Sequence, residues 1–174
     1  MTDAPGTVRA WPGRRGFPLS VAFATGLYSG YLRPAPGTWG SAAACLPAAL
    51  WLTAETELSS LEKAVALGVA ALIITLVSIP VLNRLEAAGG PHDASDVVID
   101  EFAGQWIALM PVMAYTNTVW PVIAGFLLFR LLDIVKPGPI GWLDRHVGGG
   151  LGVMADDVVA GIGAALLLWA GSFL

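Results

Sequence analysis

The sequence predicts an all-α fold, a compact membrane-associated bundle of about five apolar helices. Hydrophobic residues make up 56% of the 174 residues and charged residues only 13%, and the mean hydropathy is +0.70. Soluble domains average about 45–50% apolar and about 25% charged residues. A soluble protein of this composition would expose extended apolar patches, whereas a lipid-facing surface removes that difficulty. The apolar residues also fall into segments separated by glycine, proline and charged residues, which favours helices that turn back on one another.

Five apolar segments cover residues 39–53, 64–82, 97–114, 118–132 and 157–174. The second is the clearest because it runs nineteen residues without a charge, close to the ~20 that a helix needs to cross the hydrocarbon core of a bilayer. The other four are shorter or carry acids at one end. We therefore expect some of them to pack inside the bundle or to be only half immersed.

Helix-breaking residues separate these segments. Residues 89–91, Gly-Gly-Pro, interrupt the chain after the second segment, and an Asp or Ser within 93–96 is expected to cap the third helix. Residues 136–139, Lys-Pro-Gly-Pro, end the fourth segment because proline cannot continue a helix. The triple glycine at 148–150 leads into the last helix.

The N-terminal residues carry Arg9, Arg14 and Arg15 before a mildly apolar stretch. This pattern is compatible with a signal peptide, but cleavage near residues 42–44 would discard the most motif-like part of the chain. We predict instead a basic, flexible cytoplasmic arm over residues 1–24, followed by one helical domain over residues 25–174.

The positions of the basic residues predict which ends of the helices face the cytoplasm, where Lys and Arg collect. If the first segment runs outward, eight of the nine Lys and Arg residues fall inside and only Lys63 falls outside. The same membrane topology places Glu55, Glu57 and Glu62 outside. All of the clustered acids described next then lie at the cytoplasmic face, where we expect the active site.

Eight of the thirteen acidic residues form four clusters beside apolar runs: Asp93 with Asp96, Asp100 with Glu101, Asp133 with Asp144, and Asp156 with Asp157. Such carboxylates are costly to desolvate unless they are paired or bind a cation. Hard divalent cations such as Mg²⁺ prefer oxygen ligands and use a few carboxylates together with water and substrate phosphate. The structural alternative to a metal site is that these acids lie at helix N-termini, where negative charge is favourable. This alternative accounts least well for Asp100 and Glu101, because an apolar stretch follows them directly.

Two groups of residues are candidates for binding phosphate. Arg33, Thr38 and Ser41 precede or open the first apolar segment among glycines, and hydroxyls and free amides at a helix N-terminus can donate to phosphate oxygens. Arg130 and Lys136 flank Asp133 at spacings of three, which places all three on roughly one helical face. For the first group the structural alternative is a turn whose Ser or Thr caps the helix. For the second group it is a row of salt bridges along one helical face.

Other chemistries are excluded or disfavoured. A net charge of −4 without a basic stripe argues against nucleic acid as a partner. Cys45 is the single cysteine, which excludes an intramolecular disulfide and a multi-cysteine zinc site. The two histidines, His92 and His146, stand in no nucleophile motif, and the Ser-Gly-His of one class of membrane lipid phosphatases is missing from the sequence.

Four motifs together resemble the phosphatidylglycerophosphatase A family of bacterial lipid phosphatases. They are APGTWGS (residues 35–41), VVIDEFAGQ (97–105), FRLLDIVKP (129–137) and GGLGVMADDVVAG (149–161). They follow the family's order, so together they are far more specific than any one alone. Ala94 and Ala155 depart from the family pattern next to the acids, which affects loop geometry more than chemistry.

The resemblance implies a Mg²⁺-dependent phosphomonoesterase that acts on phosphatidylglycerophosphate at the bacterial inner membrane, in phosphatidylglycerol and cardiolipin synthesis. The implied metal ligands are Asp100, Glu101, Asp133 and Asp157, with Asp93 and Asp156 as further candidates. Thr38, Arg130 and Lys136 are the implied phosphate partners. We hypothesise in-line attack by water activated by the metal, with Asp100 or Glu101 as the base and with Asp133 and Lys136 also catalytic.

Three alternatives remain open from the sequence. The first is a related phosphatase that acts on another phospholipid or on a small phosphate ester. The second is a small cation transporter, which would distribute acids through the depth of the membrane. The third is a helical scaffold without activity.

Overall fold

The computed structural model describes residues 18–116 and 118–172, and this part of the chain contains α-helices and one short 3₁₀ turn but no strand. The helices are α1 (Pro18–Ala24), α2 (Pro36–Thr53), α3 (Ser60–Ala87), α4 (Ile99–Tyr115), α5 (Trp120–Val135), α6 (Pro139–His146) and α7 (Gly149–Gly171), with the 3₁₀ turn at Ser29–Tyr31. The predicted all-α class is therefore confirmed for the described residues. Of the predicted basic arm, residues 1–17 lie outside them, and α1 covers 18–24.

Helix boundaries differ by a few residues from each predicted segment, and three differences have a clear cause or consequence. α3 begins at Ser60 because Ser59 and Glu62 form a capping box that includes a 2.8 Å bond from the Ser59 amide to Glu62. The predicted cap of α4 by an Asp or Ser is wrong, since its N-cap is Val98 and no side chain caps it. α7 begins at Gly149, so Asp156 and Asp157 lie about two turns inside the helix and not at its start.

The long helices alternate in direction. At one end, a side chain at Gly37 in the first turn of α2 would collide with the Glu101 carboxylate in the first turn of α4, and Asn83 near the end of α3 accepts a 2.7 Å hydrogen bond from the amide of Gly150. At the other end, Lys63 donates to the Ala54 carbonyl at 2.9 Å. The bundle therefore has one end formed by the starts of α2, α4 and α7 and the ends of α3 and α5.

α4 is the central helix and packs against α2, α3, α5 and α7. One apolar cluster joins α1, α3, α4 and α7 around Leu82, Ala103 and Met154, while a second joins α2, α3, α4 and α5 around Leu67 and Leu109. Small residues let the backbones approach. A Cβ on Gly104 of α4 would lie 2.6 Å from the Asp157 carbonyl oxygen of α7, so α4 and α7 meet in backbone contact.

Two helices in the described part of the chain, α3 and α7, are long and apolar enough to cross a membrane by length and composition. α3 shows its apolar side chains outward, with Leu72, Ile73 and Leu76 each more than half exposed. A surface of this kind is consistent with contact with lipid.

Candidate active site

The site end of the bundle encloses a cavity of about 240 Å³. It is formed by the starts of α4 and α7, the end of α5, α6, and the loop that precedes α4. Seven carboxylates line it: Asp93, Asp100, Glu101, Asp133, Asp144, Asp156 and Asp157. The structure thus gathers at one place acids that are up to 64 positions apart in the sequence.

Asp100, Glu101 and Asp157 form the first of two groups, which we call the α4 trio. One carboxylate oxygen from each lies within 4.8 Å of the others. Asp100 is 8% exposed and Asp157 is 3% exposed. Oδ1 of Asp100 and Oε2 of Glu101 are buried and have no hydrogen-bond partner among the described residues. Buried carboxylate oxygens without partners are costly, and oxygens of this kind are suited to bind a cation.

Asp133, Asp156 and Asp157 form the second group, which we call the α5 trio. Its oxygens also lie within 4.8 Å of one another. It shares Asp157 with the first group. Because Asp156 and Asp157 lie inside α7, the favourable field at a helix N-terminus does not account for the pair.

Arg130 lies between α5, α4 and α2. Its Nη1 donates to Oδ2 of Asp133 at 2.5 Å, lies 3.6 Å from Oε1 of Glu101, and donates to the Ser41 hydroxyl at 3.4 Å. Its Nε is buried and has no partner among the described residues. The guanidinium is therefore held at the edge of both trios with one donor still to satisfy.

Lys136 ends α5 in a left-handed backbone conformation with φ 46°. Its ammonium donates to Asp144 of α6 and, at 2.7 Å, to Oδ2 of Asp156. Burial lowers the pKa of Lys136, but the hydrogen bonds to Asp144 and Asp156 outweigh it, so the pKa lies above its ordinary value. Lys136 is consequently a permanent cation at neutral pH.

The carboxyl groups of Asp100 and Glu101 in α4 are hard to ionise in the structure without a bound cation. Burial raises the pKa of Glu101 to about 8, and the nearby Asp157 adds to the effect. Burial likewise raises the pKa of Asp100 well above its ordinary value, with Glu101 as the next cause. Both groups are suited to bind a cation, which would favour their charged forms.

The chain matches the family model described as phosphatidylglycerophosphatase A over residues 22–172. The chain belongs to the phosphatidylglycerophosphatase A family. A protein of this name from Escherichia coli (strain K12) is 40% identical over 146 residues, which cover 84% of this chain and 79% of the relative. Its namesake from Haemophilus influenzae is 37% identical over 147 residues, 84% of this chain and 85% of the relative.

A third relative carries a different name. A Bacteroides thetaiotaomicron protein with the provisional name phosphatidylinositol-3-phosphatase is 37% identical over 150 residues, 86% of this chain and 91% of the relative. No solved structure matches the chain. The resemblance drawn from the four motifs is confirmed, and the protein is an enzyme of the phosphatase class of hydrolases.

Most residues singled out in the sequence of this phosphatidylglycerophosphatase A family member come together in the structure. The lining of the cavity includes all six predicted metal ligands and Lys136, and Arg130 touches two of those ligands. Ser41 reaches the site only through Arg130, since its hydroxyl donates to the Gly37 carbonyl at 2.8 Å. Thr38 and the exposed Arg33 do not line the cavity.

The structural roles of three residues on the helices that carry this site were not predicted from the sequence. Gly37 leaves room for Glu101 and Arg130, and Gly104 lets α4 approach Asp157. Gln105 follows Glu101 by four residues and is fully buried, and neither atom of its amide group has a hydrogen-bond partner among the described residues. The glycines fall within the quoted motifs, but which neighbour each one accommodates depends on how the helices cross.

Proposed function

We propose that this enzyme is a Mg²⁺-dependent phosphomonoesterase that removes the terminal phosphate of phosphatidylglycerophosphate to give phosphatidylglycerol. One observation carries the proposal. Among the described residues, buried oxygens of Asp100 and Glu101 have no hydrogen-bond partner, and Arg130 and Lys136 contact acids of the same cavity, in a chain of the phosphatidylglycerophosphatase A family. A divalent cation would satisfy the carboxylates, while the two basic side chains are suited to the oxygens of a phosphate.

The donor set fits Mg²⁺. All of the candidate ligands are carboxylate oxygens, which are the ligands that this hard cation prefers. The α4 trio would hold it, with Asp133, Asp156 and Asp93 nearby in the same cavity. When bound, Mg²⁺ supplies Lewis acidity that polarises phosphoryl oxygens and makes water a better nucleophile.

The chain's own residues account for the rest of the proposed reaction. Arg130 and Lys136 would orient the phosphoryl group and balance the charge that develops on its oxygens. Asp100 or Glu101 would accept the proton of the attacking water.

The distribution of basic residues supports a position for the site at the membrane. Lys136, Arg130 and Arg84 lie toward the carboxylate end of the bundle, and Lys63 lies at the opposite end. By the tendency of basic residues to remain in the cytoplasm, the site faces the cytoplasm at the bacterial inner membrane. Diacylglycerol tails would remain among the apolar helices while the head group reaches the acids, in a step of phosphatidylglycerol and cardiolipin synthesis.

A second substrate class is favoured by one relative. The Bacteroides thetaiotaomicron protein is named for phosphatidylinositol 3-phosphate, which is also a phosphate monoester on a diacyl lipid.

The transporter and scaffold alternatives are less well supported. Family membership favours an enzyme over both. A transporter would distribute acids through the depth of the membrane, whereas the described structure concentrates the clustered acids at one end of the bundle.

The test is phosphate release by detergent-purified protein from four substrates: phosphatidylglycerophosphate, phosphatidylinositol 3-phosphate, phosphatidate and a soluble phosphate ester. We expect the first to be hydrolysed fastest. Asp133→Asn should abolish release while the protein still inserts into membranes, and Glu55→Gln, an exposed acid at the opposite end, should keep full activity. Preference for another substrate, or a fully active Asp133→Asn variant, would contradict the assignment.

A further inference from the structure

The two carboxylate trios share one residue. Asp157 belongs to both the α4 trio and the α5 trio, and in each the three oxygens lie within 4.8 Å of one another. A carboxylate has two oxygens and can therefore bind two cations at once. The geometry contains two adjacent groups of ligands joined by a bridging residue.

The α4 trio shows a second sign of a ligand site. Oδ1 of Asp100 and Oε2 of Glu101 are buried and have no hydrogen-bond partner among the described residues, and a bound cation would satisfy such oxygens. In the α5 trio, Arg130 and Lys136 contact Asp133 and Asp156, so basic side chains occupy the place that a cation would take. Both groups therefore offer ligands to a cation.

The charge of the cavity leads to the same conclusion. Seven carboxylates line it, and within the described part of the chain the basic side chains that contact them are those of Lys136 and Arg130. When all are ionised, five negative charges remain without compensation. One divalent cation would leave three, which would still repel a phosphate monoester dianion, whereas two would leave one.

The positions of the two basic side chains supply a further reason. Asp133 contacts Arg130 and Asp156 contacts Lys136, so in this structure both basic side chains compensate carboxylates of the α5 trio. A cation on that trio would replace them as the partner of Asp133 and Asp156. Arg130 could then turn more of its donors to the substrate, and so could Lys136, which would keep its bond to Asp144.

We propose that the enzyme binds two divalent cations side by side, one on the α4 trio and one on the α5 trio, bridged by Asp157. The proposal rests on the phosphatase function proposed above and specifies its metal content. Two-metal sites recur in phosphatases, where the ions lie about 3.5–4 Å apart. The second cation both completes charge compensation and frees the phosphate-binding side chains.

The test counts bound metal with Mn²⁺ as the probe. Full-length protein in detergent is titrated with Mn²⁺ under electron paramagnetic resonance, which measures free Mn²⁺ and detects coupling between neighbouring ions. We expect two Mn²⁺ per chain and a spectrum of coupled ions for the wild type and for the control Glu55→Gln. Glu101→Gln and Asp133→Asn should each bind one Mn²⁺ without coupling, and Asp157→Asn should lose the coupling.

The outcomes separate this proposal from the proposed function. One Mn²⁺ per chain in the wild type, together with Mg²⁺-dependent phosphate release, would overturn the two-ion proposal alone. No bound Mn²⁺, together with phosphate release in chelator, would overturn both. Should a variant fail to fold, the wild-type stoichiometry and coupling still decide the question.

Discussion

Gly161 of α7 packs directly on Gly104 of α4, where a Cβ on Gly161 would collide with the Gly104 carbonyl oxygen. This contact lies one turn beyond Glu101 on α4 and one turn beyond Asp157 on α7. The closeness of the two backbones therefore sets how near the carboxylates of the α4 trio can come to one another.

Gly161→Ala should push α4 and α7 apart. Overpacking of this kind typically costs about 1–3 kcal/mol, and the separated carboxylates should bind the divalent cation less well. The measurement is the melting temperature in detergent together with the Mg²⁺ concentration that gives half-maximal activity. Gly171→Ala is the matched control, because a Cβ there meets nothing within 4 Å; equal behaviour of the two variants would rule out the packing explanation.

Asn83 of α3 should stabilise the start of α7. It accepts a 2.7 Å hydrogen bond from the Gly150 amide, which has no partner within its own helix because it lies in the first turn. Asn83→Ala should lower stability by about 1 kcal/mol, by analogy with the loss of an N-cap. Asn83→Asp keeps the accepting oxygen and should retain the wild-type melting temperature, whereas equal destabilisation by both substitutions would show that this hydrogen bond does not matter.

The side-chain amide of Gln105 should lower the free energy of unfolding of the protein. Its amide is fully buried without a hydrogen-bond partner among the described residues, and an unsatisfied buried group costs about 1–3 kcal/mol. Gln105→Met has a similar length and no such requirement, so we expect its melting temperature to rise. A fall would mean that the amide is satisfied in the folded protein.

Glu101 should make the metal-free enzyme sensitive to pH. The folded state holds the Glu101 proton up to a pKa of about 8, while the ordinary value is 4.5. An acid whose pKa is raised by folding lowers stability as pH rises between those two values. In chelator, the melting temperature should therefore fall from pH 5 to pH 8, and Glu101→Gln should weaken that dependence. The buried Asp100 contributes in the same direction, so the melting temperature of Glu101→Gln should still fall with pH, but less steeply than that of the wild type. An equally steep fall would contradict a raised pKa for Glu101.

The helical class and most residues of the candidate site could be predicted from the sequence, because the apolar segments are local and the placement of the basic residues brings the acidic ends of those segments to one face. Apolar segments with clear breaks predict helices, and carboxylates that end such segments predict a metal site. What could not be predicted depends on how the helices pack. The position of Asp156 and Asp157 inside α7 depends on where the helix starts, and Thr38 and Arg33 do not line the cavity although they lie at or before the start of α2. The engagement of Arg130 with Asp133, Glu101 and Ser41 joins three helices, and no spacing in the sequence indicates it.

The central claim is that carboxylates of α4, α5 and α7 hold a divalent cation for hydrolysis of a lipid phosphate monoester. The most direct test is phosphate release from phosphatidylglycerophosphate by the purified wild-type protein in Mg²⁺, in chelator, and after Mg²⁺ is restored. We expect activity in Mg²⁺, its loss in chelator and its full recovery on restoration. Undiminished release in chelator would contradict the account.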